Sequence, residues 1–202
     1  MPTIHPRRLA LLGLLLLCSP LALAHHPMDG MTPETFMQGL LSGLGHPVIG
    51  LDHLAFIVGV GLLSLRFPGR AWLPVAFVAG TVLGTGVHLL APTLPLVEVA
   101  IALSVVLLGT LLWVRPDLPP AWLLGGLGLA GLCHGHAYGE TVVGAEASPL
   151  LAYLLGFALI QTLLALAIRE AGARWSLPRH WQRRAGQAVT LAGVASLVAL
   201  GV

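Results

Sequence analysis

Lysine is missing altogether from the 202 residues, and charge of any kind is scarce, at 9% of the chain. Soluble domains carry about 25% charged residues, so a water-facing globule is excluded. Apolar residues make up 56% and mean hydropathy is +0.90, as expected of an integral membrane protein. Cysteine occurs only as Cys18 and Cys133. No nucleotide-binding loop, extramembrane domain or low-complexity stretch is present, which leaves no encoded ATP-driven machinery.

All ten basic residues are Arg. Two of them, Arg7 and Arg8, precede the apolar run Leu9 to Leu17 and the small residues of Ala22-Leu23-Ala24. That order predicts a secretory signal over 1–24, cleaved before His25. The alternative is an uncleaved first helix; lipoprotein processing at Cys18 is disfavoured by Leu17 in place of a small residue. Cleavage leaves eight Arg against eight acidic residues, so no basic patch remains for nucleic acid. It also leaves Cys133 alone, with no intrachain disulfide. The mature chain would start at His25-His26, where a free amine beside two imidazoles could capture a divalent ion. A solvated tail is the plainer reading. The periplasmic segment 25–45 would then lead, through an interfacial or re-entrant Glu34 to Leu44, into the membrane domain 46–202.

Six apolar spans are expected, near 46–65, 72–91, 96–114, 121–140, 149–168 and 185–202, each close to the ~20 residues that cross a bilayer. The fold class expected is therefore all-α, a compact six-helix transmembrane bundle. Arg66 and Arg70 follow the first span, Arg115 the third, and Arg169, Arg174, Arg179, Arg183 and Arg184 the fifth. The other loops lack Arg. The positive-inside rule places the Arg loops in the cytoplasm and both mature termini in the periplasm. All five tryptophans fall near the same cytoplasmic ends, as interface anchors would. Gly80 and Gly84, and Gly131, Gly135 and Gly139, recur every four residues, a spacing that lets helix backbones pack closely in lipid.

Chemistry concentrates in two stretches. His46-Pro47-Val48-Ile49-Gly50-Leu51-Asp52-His53 places two imidazoles and a carboxylate at the mouth of an uncharged run, Leu54 to Leu65. On a continuous helix, positions seven apart return to nearly one face, with Asp52 about 100° away. The second stretch is His134-Gly135-His136-Ala137-Tyr138-Gly139-Glu140. His136 and Glu140 share a face there, and His134 lies about 200° from His136 unless Gly135 breaks the helix. His88 and Glu98 are further polar residues at membrane depth. The topology brings all of these into the periplasmic half. At ~1.5 Å per residue, Asp52 and His53 lie roughly 10 Å below the outer boundary and His134 and His136 about 6–9 Å below it.

Ionisable groups in hydrocarbon are costly and mark functional sites. Imidazole with carboxylate suits Ni²⁺, Co²⁺, Zn²⁺ or Cu²⁺. The candidate ligands are His46, His53, His134 and His136. Asp52 is either a ligand or the group that orients His53 from behind. Glu140, His88 and Glu98 are additional pathway or ligand candidates. Gln161 and Thr162 could be pathway groups but read more readily as helix–helix hydrogen-bond groups, and His180 reads as solvated in the Arg-rich loop.

His46-Pro47-x-x-Gly50-x-Asp52-His53 together with His134-Gly135-x-Ala137-x-Gly139-Glu140 resembles the HupE/UreJ family of nickel and cobalt permeases. The likeness covers nearly the whole mature chain. Phe56 and Ile57 stand where relatives often carry Met, and Tyr138 where some carry His. The resemblance implies Ni²⁺ or Co²⁺ as transported ion, no resident cofactor, and uptake serving hydrogenase or urease maturation. Two rival chemistries fit the same residues. One is an intramembrane zinc-dependent hydrolase with Glu140 as base, which would want a Ser or Tyr beside the metal; Tyr138 is available, but no intramembrane Ser accompanies either motif. The other is bis-histidine haem ligation. An inverted repeat of three plus three spans is not supported, since both motifs face one side.

Overall fold

A computed structural model describes residues 31–67, 69, 72–91, 94–114 and 116–202. The expected signal segment 1–24 and His25 and His26 lie outside the described residues. Seven α-helices occur among them: α1 (Phe36–Ile49), α2 (Leu51–Arg66), α3 (Leu73–Leu90), α4 (Val97–Val114), α5 (Pro120–Gly139), α6 (Ala147–Arg174) and α7 (Arg179–Ala199). A short 3₁₀ turn, Glu140–Val142, extends α5.

The start of the chain departs from a single straight first span. A capping box opens α1 at Thr35: its hydroxyl accepts from the Gln38 amide, and the Gln38 side chain accepts from the Thr35 amide. The helix therefore runs across the boundary expected at 45–46. Pro47 sits inside α1 and has no amide to donate, and Gly50 then turns extended at φ −71°, ψ 112°. The two helices meet there at 79°. Consequently His46 and His53 sit on different helices, and the helical repeat that would align them does not operate. They are brought together by the bend instead.

Three helix pairs are joined by glycine. A Cβ on Gly39 or Gly43 of α1 would strike the α6 backbone at Pro149 or Tyr153. Gly80 and Gly84 of α3 meet Gly131 and the Leu132 carbonyl of α5, and Gly135 meets Thr81. Gly109 of α4 meets Thr190 and Gly186 of α7. Helices in lipid gain nothing from hiding apolar surface from one another, so close backbone approach supplies the packing. The expected glycine spacing is thus the α3–α5 seam itself. Between these pairs runs α2, which packs on α3, α4, α6 and α7.

Among the described residues three helices (α3, α4 and α6) are long and apolar enough to cross a membrane, and four spans result if bent α1–α2 counts as one. Helices α5 and α7 have the length, with 20 and 21 residues. Glycine and histidine in α5, and arginine in α7, keep both outside that apolar set. The chain is a membrane protein.

Helix direction sorts the side chains into two ends. Phe56, Ile57, Val60, Leu63, Leu73, Phe77, Leu108, Leu112, Leu123 and Leu127 form an apolar core. Past it, Arg66 reaches Asp117 at 3.4 Å and the Pro116 carbonyl at 2.6 Å. The opposite end holds the histidines.

Candidate metal centre

His46, Asp52, His53, His88, His134 and His136 are all buried. Each sits near a helix end of the same half of the bundle: the end of α1, the start of α2, the ends of α3 and α5. Helix α5 is continuous through Gly139, so Gly135 does not break it. Its two histidines therefore project to different neighbours. The result is two imidazole pairs rather than one ring of four.

In the first pair, the Nδ1 atoms of His53 and His134 are 2.8 Å apart. Nε2 of His134 lies 3.0 Å from the Ser104 hydroxyl on α4. Phe56 and Phe77 close on the His134 ring from the apolar side, with centroids at 4.6 and 5.5 Å. In the second pair, Nδ1 of His88 and His136 are 3.2 Å apart, and Nε2 of His136 is 3.4 Å from the Ala91 carbonyl. Gly139 is pressed against the His88 ring, where a Cβ would stand 2.5 Å from the His88 Cβ.

His46 flanks the first pair, its ring 5.8 Å from that of His53. Tyr153 and Thr141 each place a hydroxyl 3.0 Å from His46 Nδ1. Tyr153 donates its proton to the Tyr138 carbonyl at 2.9 Å. The Tyr138 ring stands edge-on to both imidazoles, at 4.9 Å from His46 and 4.7 Å from His53. Its hydroxyl is buried and has no hydrogen-bond partner among the described residues.

Asp52 lies in the first turn of α2, where the helix dipole favours a carboxylate, and accepts from the His53 amide at 2.8 Å. Its Oδ1 is 4.0 Å from His53 Nδ1, an ion-pair distance rather than a hydrogen bond. Gly50 leaves room for this arrangement, since a Cβ there would stand 2.6 Å from His53 Cδ2 and 3.3 Å from Asp52 Oδ1. Glu140 is exposed at the start of the 3₁₀ turn, and Glu98 is half-buried. Gln161 bridges helices as read from the sequence, with Nε2 3.4 Å from the Thr81 hydroxyl; Thr162 instead bonds its own helix at Ala158.

Three residues escaped sequence reasoning. Ser104 corrects the expectation that no intramembrane serine accompanies either motif. It has no motif of its own, but it lies six residues beyond Glu98 on α4, about 9 Å along the helix, where it meets His134. Thr141 directly follows Glu140 and needed only the extension of the motif by one residue. Tyr153 carries no comparable signal.

Among the described residues, no group of three or more His, Cys, Asp or Glu side chains stands ready to hold a metal ion. What the fold offers is paired imidazoles in a buried, sparsely polar setting. No solved structure matches the chain. Protein HupE of Rhizobium leguminosarum bv. viciae is 37% identical over 165 residues, which cover 80% of this chain and 85% of that protein. Residues 12–196 match the HupE / UreJ protein family. With both histidine motifs in place and the match running over most of its length, the chain belongs to the HupE/UreJ family.

Proposed function

We propose that the protein is a permease or selective channel that takes up Ni²⁺ or Co²⁺ through the His53–His134 pair, with His46 and Asp52 beside it. The observation that carries this reading is the burial of two imidazoles side by side, their Nδ1 atoms joined by a 2.8 Å hydrogen bond that is also short enough for both to reach one ion. Two nitrogens bound to one ion at about 2.0–2.1 Å and 90° to each other are about 2.8–3.0 Å apart, the edge of a square-planar or octahedral site. The His88–His136 pair is a second candidate station, with Glu140 and Glu98 as pathway groups and His25 and His26 as an entry point. An ion held by two imidazoles keeps much of its water and leaves more readily than one in a closed cage, as conduction requires.

In this reading the chain sits in the bacterial inner membrane with six spans, a cleaved signal and periplasmic termini. The Arg66 end then faces the cytoplasm, in line with the positive-inside rule. A divalent ion gains about 4.6 kcal/mol per 100 mV of inside-negative potential, twice the value for a unit charge, so uptake can run on potential alone. Family membership supports a link to hydrogenase or urease maturation and a transporter rather than an enzyme. Ser104 beside His134 revives the zinc-dependent hydrolase only in part. Its proton is held by the Ile101 carbonyl at 2.7 Å, which leaves none to offer a substrate oxygen.

The test is Ni²⁺ and Co²⁺ influx into proteoliposomes at imposed inside-negative potential. Wild type is expected to admit the ion, and folded His53→Ala to lose at least ten-fold of that rate. Stoichiometric binding without influx would overturn transport.

A further inference from the structure

We propose that Ser104 is a positioning residue: by accepting the Nε2–H of His134 it fixes that imidazole with its Nδ1 lone pair turned on His53. The Ser104 hydroxyl has a single proton to donate. Ser104 Oγ lies 2.7 Å from the Ile101 carbonyl and 3.0 Å from His134 Nε2. A carbonyl cannot donate, and two oxygens 2.7 Å apart with no hydrogen between them repel. The Ser104 proton therefore points at Ile101, one turn back on its own helix. Its oxygen can then only accept from His134, so Nε2 of His134 bears the ring hydrogen.

The consequence passes through the ring. Neutral imidazole has one N–H, so Nδ1 of His134 keeps its lone pair, and the hydrogen between the two Nδ1 atoms belongs to His53. A cation that takes both nitrogens would require His53 to release its Nδ1 proton to water and take one up at Nε2, whereas His134 offers its Nδ1 lone pair with no proton transfer. Were the tautomer reversed, the lone pair of His134 would face α4 and the Nδ1–H would block the site. Ser104 thus decides which face of His134 is the ligating one. It does so from outside both histidine motifs, in the way the second N–H of a ligating histidine is commonly held by an oxygen.

This inference rests on the proposed ion site only for its effect on binding; the tautomer is measurable without any metal. The experiment uses the full chain in lipid nanodiscs with ring-¹⁵N histidine. The His134 signals are those that vanish in His134→Gln. Wild type is expected to show a protonated Nε2 and an unprotonated Nδ1. Ser104→Ala should give mixed tautomers, and Ser104→Thr should restore the wild-type pattern. Ni²⁺ affinity by calorimetry should fall about ten-fold in Ser104→Ala, the lower end of the 10–100-fold typical of such orienting partners, and recover in Ser104→Thr. A wild-type His134 with unprotonated Nε2 overturns the proposal, whatever the variants do. So does an unchanged tautomer in Ser104→Ala. If the tautomer shifts but wild type binds neither Ni²⁺ nor Co²⁺, the positioning role stands and the metal reading falls.

Discussion

At one end of the bundle, α2 and α5 present His53 and His134; at the other, the same two helices present Val60, Leu63, Leu123 and Leu127. Helix α3 makes the same change, from Leu73 and Phe77 to Thr85 and His88, and α4 from Leu108 and Leu112 to Ser104. The apolar end is held by contacts that have no direction, and many residue combinations of similar volume would serve. The histidine end is held by directional hydrogen bonds between buried rings and hydroxyls. Removing one partner leaves another buried group unsatisfied, at about 1–3 kcal/mol. The apolar end is strict about volume alone, and the histidine end is strict about donors and acceptors as well. Phe56 and Phe77 sit where the two regimes meet, against the ring of His134.

The severest way to break this division is to spoil what both ends share. Gly135→Val would drive a side chain into the Thr81 backbone and part α3 from α5. The cost should exceed the ~1–3 kcal/mol of ordinary overpacking, and the protein should aggregate on size exclusion in detergent. Next in size is Phe77→Ala. It should cost about 3–5 kcal/mol, read as a lower midpoint of thermal unfolding. It should also open the apolar barrier below His134, so that ion influx rises while preference for Ni²⁺ over Mg²⁺ falls. If influx falls instead, the barrier assignment is wrong. The smallest effect on stability is expected from Gly50→Ala. Its methyl meets the His53 ring and not backbone, so the cost should be the ~1–3 kcal/mol of a displaced imidazole bond, while Ni²⁺ affinity drops about ten-fold, as when a ligand is turned off its axis.

Much of the histidine end was legible in the sequence because the motif residues are themselves the buried groups. His46, Asp52, His53, His134 and His136 are all buried and lie at one end of the bundle. The glycine spacing likewise read through to the α3–α5 seam. The bend at Gly50 did not, although Pro47 and Gly50 were in view. A period-based reading assumes an unbroken helix, and both proline and glycine occur within membrane helices without ending them. The pairing of His88 with His136 was hidden because it depends on which side of α5 each histidine takes. Ser104 was missed for a more general reason. A hydroxyl has no motif, and its role is set by a carbonyl one turn away and a ring on another helix.

The central claim is that the buried imidazole pair, not the chain's carboxylates or its thiol, receives the ion. X-ray absorption at the nickel edge on Ni²⁺-loaded protein tests this most directly. Wild type should show imidazole nitrogens at about 2.0–2.1 Å, with loss of at least one of them in His53→Ala. A first shell of oxygen alone, or one containing the Cys133 sulfur, would contradict it.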